Sequence, residues 1–133
     1  MPEKRTIERA RKDAREGKAP STQAGEFVRE EMDHIREGKH GARSAKQAIA
    51  IGLSKARRAG VKLAPPAKGT TSEATRKKAE REVERARSGA AAKPSRKRAS
   101  AGLKALKKEP RSAASHRALS KQAKQAARRR AAR

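Results

Sequence analysis

The sequence predicts an all-α protein, and three observations carry that reading. Alanine makes up most of the nominal hydrophobic third, and alanine favours helix while burying little area. The large apolar residues recur at helical spacing: Ala24, Phe27, Val28, Met32 and Ile35 share one face, and Ala45, Ala48, Ile49, Gly52, Leu53 and Ala56 share another. Capping and stop residues bracket both runs. The expected architecture is a short helical hairpin, about 22–37 and 44–59. A frayed N-terminal helix precedes it, and a largely disordered or extended-helical basic C-terminal arm follows.

A first helix is expected over residues 3–16, stopped by Gly17 with Pro20 beyond. Its one large apolar residue, Ile7, predicts loose docking. Ser21 or Thr22 caps the second helix and Gly38 ends it. In the third helix, Ser44 followed three residues later by Gln47 matches a capping box, and Gly60 is placed as its left-handed stop. The connection 38–43 is short, which predicts antiparallel packing with a core of Phe27, Val28, Met32, Ile35, Ile49 and Leu53. Val61 and Leu63 are candidates to fold back onto its open end, while Ile51 lies off the main stripe and is a candidate partner contact.

The expected domain, residues 1–63, ends at a Pro/Gly linker over 64–72, because two prolines there break any helix. The basic arm, 73–133, is expected to hold helices at about 73–87 and 112–130. The first of these opens on a capping box of Thr70 and Glu73 and stops at Gly89. With Val83 as its only large apolar residue, it is expected to be exposed. Residues 90–102 read as low-complexity linker, with a short helix at Leu103–Lys108 before Pro110.

Composition bounds the function. Leu, Ile, Val and Phe number 13 in 133 residues, and a fraction below about 20% with high net charge is the signature of disorder. The formal charge is +24, which opposes compaction and favours a polyanionic partner. Residues 1–60 carry 15 Lys/Arg and 9 Asp/Glu, whereas residues 61–133 carry 23 and 5. No apolar run approaches the ~18 residues of a membrane span, and the N-terminus shows no secretory h-region. The expected compartment is therefore the cytoplasm, at a bacterial nucleoid. Cysteine is absent, which removes disulfides and thiolate chemistry. Phe27 is the only aromatic residue, so base stacking on an aromatic platform is excluded and any nucleic acid is bound mainly through phosphates.

The candidate contacts follow from spacing. Arg117, Lys121, Lys124 and Arg128 stand at i, i+4, i+7 and i+11, one stripe of a helix, and Arg129, Arg130 and Arg133 extend it. Arg96, Lys97 and Arg98 form a compact cluster suited to phosphates or a minor groove, and Lys55, Arg57 and Arg58 close the third helix. A helix-turn-helix reader is disfavoured, because residues 38–43 exceed the usual 3–4-residue turn. Glu26, Glu30, Glu31, Asp33 and Glu37 read as a solvated face, with internal pairing to the basic arm as the alternative. His34, His40 and His116 suggest no ligand set, and there is no phosphate loop or nucleophile elbow. No enzyme activity, metal, cofactor or small-molecule substrate is expected.

Lys46 to Arg57, "KQAIAIGLSKAR", resembles the signature of a bacterial family of small basic proteins, domain-of-unknown-function family 6496. Val28, Met32 and the turn Glu37–Gly41 are similar to the rest of its pattern, so the resemblance covers about residues 25–60. Gly52 stands where alanine is expected, a departure that weakens the helix. The resemblance implies a domain boundary and no activity. The tail is similar in composition to histone H1-like nucleoid proteins. The leading expectation is a non-enzymatic, nucleoid-associated DNA-binding protein of low sequence specificity, self-associating through its hairpin. The alternatives are an RNA-binding or ribosome-associated protein and a protein-interaction adaptor using the hairpin.

Overall fold

A computed structural model describes residues 2–66, 72–88 and 95–132. It contains α1 (Lys4–Arg15), α2 (Pro20–Arg36), α3 (Ala45–Arg58), α4 (Glu73–Ser88), α5 (Arg96–Lys107), a 3-10 turn (Arg111–Ala114) and α6 (His116–Ala131). No strand occurs among the described residues, so the protein is all-α. No helix among them is long and apolar enough to cross a membrane. The chain divides into two compact units, each drawn from two stretches: Met1–Glu30 with Ile51–Lys93, and Glu31–Ala50 with Pro94–Arg133.

The core of the first unit gathers around Phe27, which is 1% exposed. Ala10, Ala24, Ala56 and Val61 are buried with it, and Ile7, Leu53 and Leu63 pack against them. Val61 and Leu63 thus return to the core as expected. The turn that returns them is a Schellman motif. Gly60 takes φ 102°, its N–H donates to the Arg57 carbonyl at 3.1 Å, and the Val61 N–H donates to that of Ala56 at 3.0 Å. Positive φ at that position is open to glycine at little cost.

Two elements of this unit are better anchored than their apolar content predicts. Thr6, Ala10 and Asp13 of α1 are buried, and the Glu3 backbone N–H donates to the Glu30 carboxylate at 2.6 Å. Helix α1 is therefore docked and not frayed, because small side chains give it a flat face that one isoleucine does not reveal. On α4, Ala79 is 4% exposed, and the Ser54 hydroxyl of α3 donates to Glu82 at 2.6 Å. The cap of α4 is Ser72, whose Oγ accepts the Thr75 N–H at 3.3 Å. Thr70 and Gly89 lie outside the described residues.

The alanine-for-glycine expectation at position 52 reverses in the structure. A Cβ on Gly52 would lie 2.6 Å from the Val28 Cα, 2.9 Å from its Cγ2 and 3.0 Å from its N. Glycine here lets α3 approach the backbone of α2, and the helix-propensity loss of about 1 kcal/mol is the smaller effect. Gly52→Ala is expected to destabilise the protein by about 1–3 kcal/mol net of that gain. A urea midpoint followed by circular dichroism measures it, and an unchanged or raised midpoint would contradict this packing.

Of the two alternatives expected for the arm, disordered or extended-helical, the described residues of the second unit are helical. Residues 96–102, expected as linker, lie in α5, which also absorbs the short helix expected at 103–108. Residues 90–94 fall outside the described set. The helix expected at 112–130 is divided: the 3-10 turn ends at Ser115, which is extended at φ −68° and ψ 153° and caps α6 by accepting the Ala118 N–H at 3.1 Å.

The arm is tied to residues 35–42 through backbone groups. The Gly41 N–H donates to the Leu106 carbonyl at 2.8 Å and the Ala42 N–H to that of Pro110 at 3.0 Å. Two arginines add to this. Arg36 Nε donates to the Ala114 carbonyl at 3.0 Å, while Arg111 donates to the carbonyls of Ile35 and Arg36. The latter satisfies helix-end acceptors of α2 and places a cation at the negative end of its dipole. Met32, Ile35, Ala42, Ala45, Ala48, Ala113 and Ala114 are the buried apolar residues of this unit.

The six residues expected as a hairpin core are therefore shared between the units. Phe27 is buried in the first and Met32 and Ile35 in the second, while Val28, Ile49 and Leu53 are half-buried. Ile51 is also half-buried. At the start of α3 the Ser44 Oγ accepts the Gln47 N–H at 3.1 Å. The Gln47 side chain reaches back to the Arg43 N–H at 2.6 Å, one residue earlier than in an ordinary capping box.

Candidate nucleic-acid interface

Helix α6 has two faces. Ala118, Leu119, Gln122 and Ala126 are half-buried. Arg117, Lys121, Lys124 and Arg128 are exposed on the other side, as are Arg129 and Arg130 in the last turn. Arg128 stands eleven positions after Arg117, so the stripe runs for about 16 Å at 1.5 Å per residue. None of these six cations forms a side-chain hydrogen bond or ion pair among the described residues. Residues 94–133 hold fourteen Lys/Arg and one acid, Glu109. Cations in the last turn of α6 also suit the helix dipole.

Arg96, Lys97 and Arg98 are exposed in the first turn of α5. Ser95 caps that helix by accepting the Arg98 N–H at 3.3 Å. Three cations at the positive end of a helix dipole repel it, and an anion bound there relieves the repulsion.

The cations closing α3 divide. Arg58 is exposed, with its Nε donating to the Ser54 carbonyl at 3.4 Å. Lys55 is half-buried. Arg57 is 6% exposed and donates to the Ala64 carbonyl at 3.1 Å. Its pKa is lowered by burial, an effect that Glu82 opposes, and its Nε is buried without a hydrogen-bond partner. Arg57 thus ties the end of α3 to the returning chain and is out of reach of a phosphate, which corrects its place among the expected contacts. Arg57→Met is expected to leave DNA affinity unchanged and to shift stability by no more than about 1 kcal/mol, since relief of desolvation offsets the lost hydrogen bond. Fluorescence-anisotropy titration together with a urea melt checks both parts.

The acids of α2 are not a solvated face. Glu30 and Glu31 are 5% and 0% exposed. Glu26 and Asp33 are half-buried, and only Glu37 of the five is exposed. Glu31 meets His40 Nε2 at 3.2 Å. Ligand atoms of Glu31, His34 and His40 lie within 4.8 Å of one another, a convergence the sequence spacing concealed because a tight turn separates His34 from His40. The first unit also holds a cleft of about 240 Å³ lined by Ile7, Ala10, Ala14, Phe27, Ala59 and Val61. That is smaller than the ~300 Å³ at which small-molecule pockets begin.

Residues 3–68 match the model of a family of unknown function, DUF6496. This segment belongs to the DUF6496 family. The match is wider than the stretch 25–60 that carried the resemblance: it takes in α1 and the return through Val61 and Leu63. The DUF6496 segment stops short of α4, so the stripe on α6 and the cluster on α5 lie beyond it. No curated protein and no solved structure matches the chain.

Proposed function

We propose that this protein is a non-enzymatic DNA-binding protein that grips the duplex backbone with little sequence preference and acts in the nucleoid. The observation that carries this reading is the exposed stripe Arg117, Lys121, Lys124 and Arg128 on α6, free of acidic partners and backed by a half-buried face. A row of unneutralised cations fixed on one side of a helix gains free energy by releasing counterions from DNA. Arg96, Lys97 and Arg98 on α5 add phosphate contacts, and Lys55 and Arg58 supply further positive charge. With one aromatic residue in the chain, buried as Phe27, base stacking supplies nothing. Specificity for single-stranded sequence therefore has no basis.

The test is cross-linking of the intact protein followed by sequencing of what is bound, with competition between duplex DNA and structured RNA in vitro. The expected result is broad recovery of DNA and stronger competition by duplex DNA. Preferential recovery of RNA, or of neither, would overturn the proposal.

A further inference from the structure

The cluster at the end of α2 has chemistry that phosphate binding does not use. Glu31 is fully buried and His40 is 8% exposed. His34 is half-buried and stands three residues after Glu31, on the same face of the helix. The helix then ends in a Schellman turn. Gly38 takes φ 80°, its N–H donates to the Ile35 carbonyl at 3.1 Å, and the Lys39 N–H donates to the His34 carbonyl at 3.0 Å. That reversal returns His40 to the two residues it follows. The His34 and His40 rings meet edge to face, with centroids 6.3 Å apart and planes at 81°.

The hydrogen bonding of His40 selects its tautomer. Nδ1 lies 2.9 Å from the Gly41 carbonyl oxygen. A carbonyl only accepts, so Nδ1 carries the proton. The other nitrogen, Nε2, faces a Glu31 oxygen at 3.2 Å. A neutral imidazole would there direct a lone pair at a buried carboxylate, which is repulsive unless a cation lies between them. A proton shared between the two groups, or a metal ion, fills that role. Two features favour the metal. A histidine that donates its remote N–H to a backbone carbonyl is the usual outer-shell arrangement of a metal ligand. In addition, His34 brings a third donor to the same point, all three ligand atoms lying within 4.8 Å of one another.

We propose that Glu31, His34 and His40 form a binding site for one zinc ion. Zinc takes imidazole nitrogen and carboxylate oxygen at about 2.0–2.2 Å in tetrahedral geometry. Ligand atoms around such an ion are about 3.4 Å apart, close to the 3.2 Å already present between Glu31 and His40. Two imidazoles and a carboxylate suit zinc better than magnesium or calcium, which prefer all-oxygen ligands. The fourth position is left to water. An ion held there fastens the last two turns of α2 to the turn that leads to Gly41, whose amide anchors the arm.

The proposal is tested on the full chain by zinc titration in competition with a chromophoric chelator and by absorption spectroscopy with Co²⁺. One equivalent of zinc per chain is expected, together with the intense visible bands of four- or five-coordinate Co²⁺. His34→Ala is expected to lose at least about tenfold in zinc affinity with its helical content intact, since His34 is only half-buried. His116→Ala, at an exposed histidine on α6, is the control and is expected to bind as the parent does. Equal zinc affinity in the His34→Ala variant, or a weak octahedral Co²⁺ spectrum, would overturn the site. So would ¹⁵N shifts showing His40 doubly protonated and unmoved by zinc, the outcome for a simple imidazolium–carboxylate pair.

Discussion

Replacing Arg117, Lys121, Lys124 and Arg128 together by glutamine is expected to weaken duplex-DNA binding by about 10³-fold at 0.15 M salt. Each phosphate contact releases about 0.9 of a counterion, worth about 1 kcal/mol at that concentration. Glutamine is a good helix former, so α6 itself should persist. The loss should be uniform across DNA sequences, since backbone contacts position the protein without reading bases. Anisotropy titrations on several unrelated duplexes measure it. As a control, Lys4, Arg5, Arg11 and Lys12 of α1 change to glutamine. Arg5 and Lys12 already face Glu3 at 3.6 Å and Glu16 at 3.9 Å, so a much smaller loss is expected. Equal losses in the two variants would show that net charge, and not the α6 stripe, drives binding.

Gly41→Ala is expected to be among the most destabilising single substitutions in the chain. A Cβ at this position would collide with the Glu109 carbonyl group, its carbon at 2.5 Å, and would lie 2.6 Å from the Pro110 carbonyl oxygen. These neighbours are backbone atoms and cannot rotate away as a side-chain tip can. Relief requires separating residues 41–42 from 106–110, which forfeits the hydrogen bonds from the Gly41 and Ala42 amides at 2.8 and 3.0 Å. Overpacking and two lost hydrogen bonds together come to about 3 kcal/mol or more. Thermal unfolding and amide exchange at Ala42 report it. Unchanged protection of that amide would contradict the docking of the arm.

The same contact shows what the sequence could and could not reveal. The C-terminal end of α2 and both ends of α3 were legible, because Gly38, Gly60 and the Ser44–Gln47 pair act within one turn of chain. The start of α2 was not, since Pro20 opens it and the expected caps Ser21 and Thr22 lie within its first turn. The return of Val61 was legible because it is apolar and just past a stop residue. The docking of α1, α4 and the arm was not. It rests on alanines such as Ala10, Ala79 and Ala114, which score as helix formers whether buried or exposed. It also rests on backbone pairs such as Gly41 with Leu106, which leave no side-chain pattern.

Charge misled for a related reason. Glu31 and Arg57 look like surface residues in a chain of this composition, yet they are 0% and 6% exposed. Each is held by a partner from the chain just past a helix end, His40 in one case and Ala64 in the other. Of the candidate site, the α6 stripe was legible from spacing alone, as solvated cations keep helical periodicity without needing a tertiary partner. The convergence of Glu31, His34 and His40 depends on the path of the chain after Gly38, and spacing does not encode it.

The measurement that tests the central claim most directly is the salt dependence of duplex-DNA affinity for the intact protein. The stripe on α6, the cluster on α5, Lys55 and Arg58 together offer about 8 phosphate contacts, so log K against log salt should fall with a slope near −7. The fourfold glutamine variant should fall with a slope near −3.5. A slope near zero for the parent protein, or the same slope for both, would contradict an account in which these exposed cations bind DNA by displacing counterions.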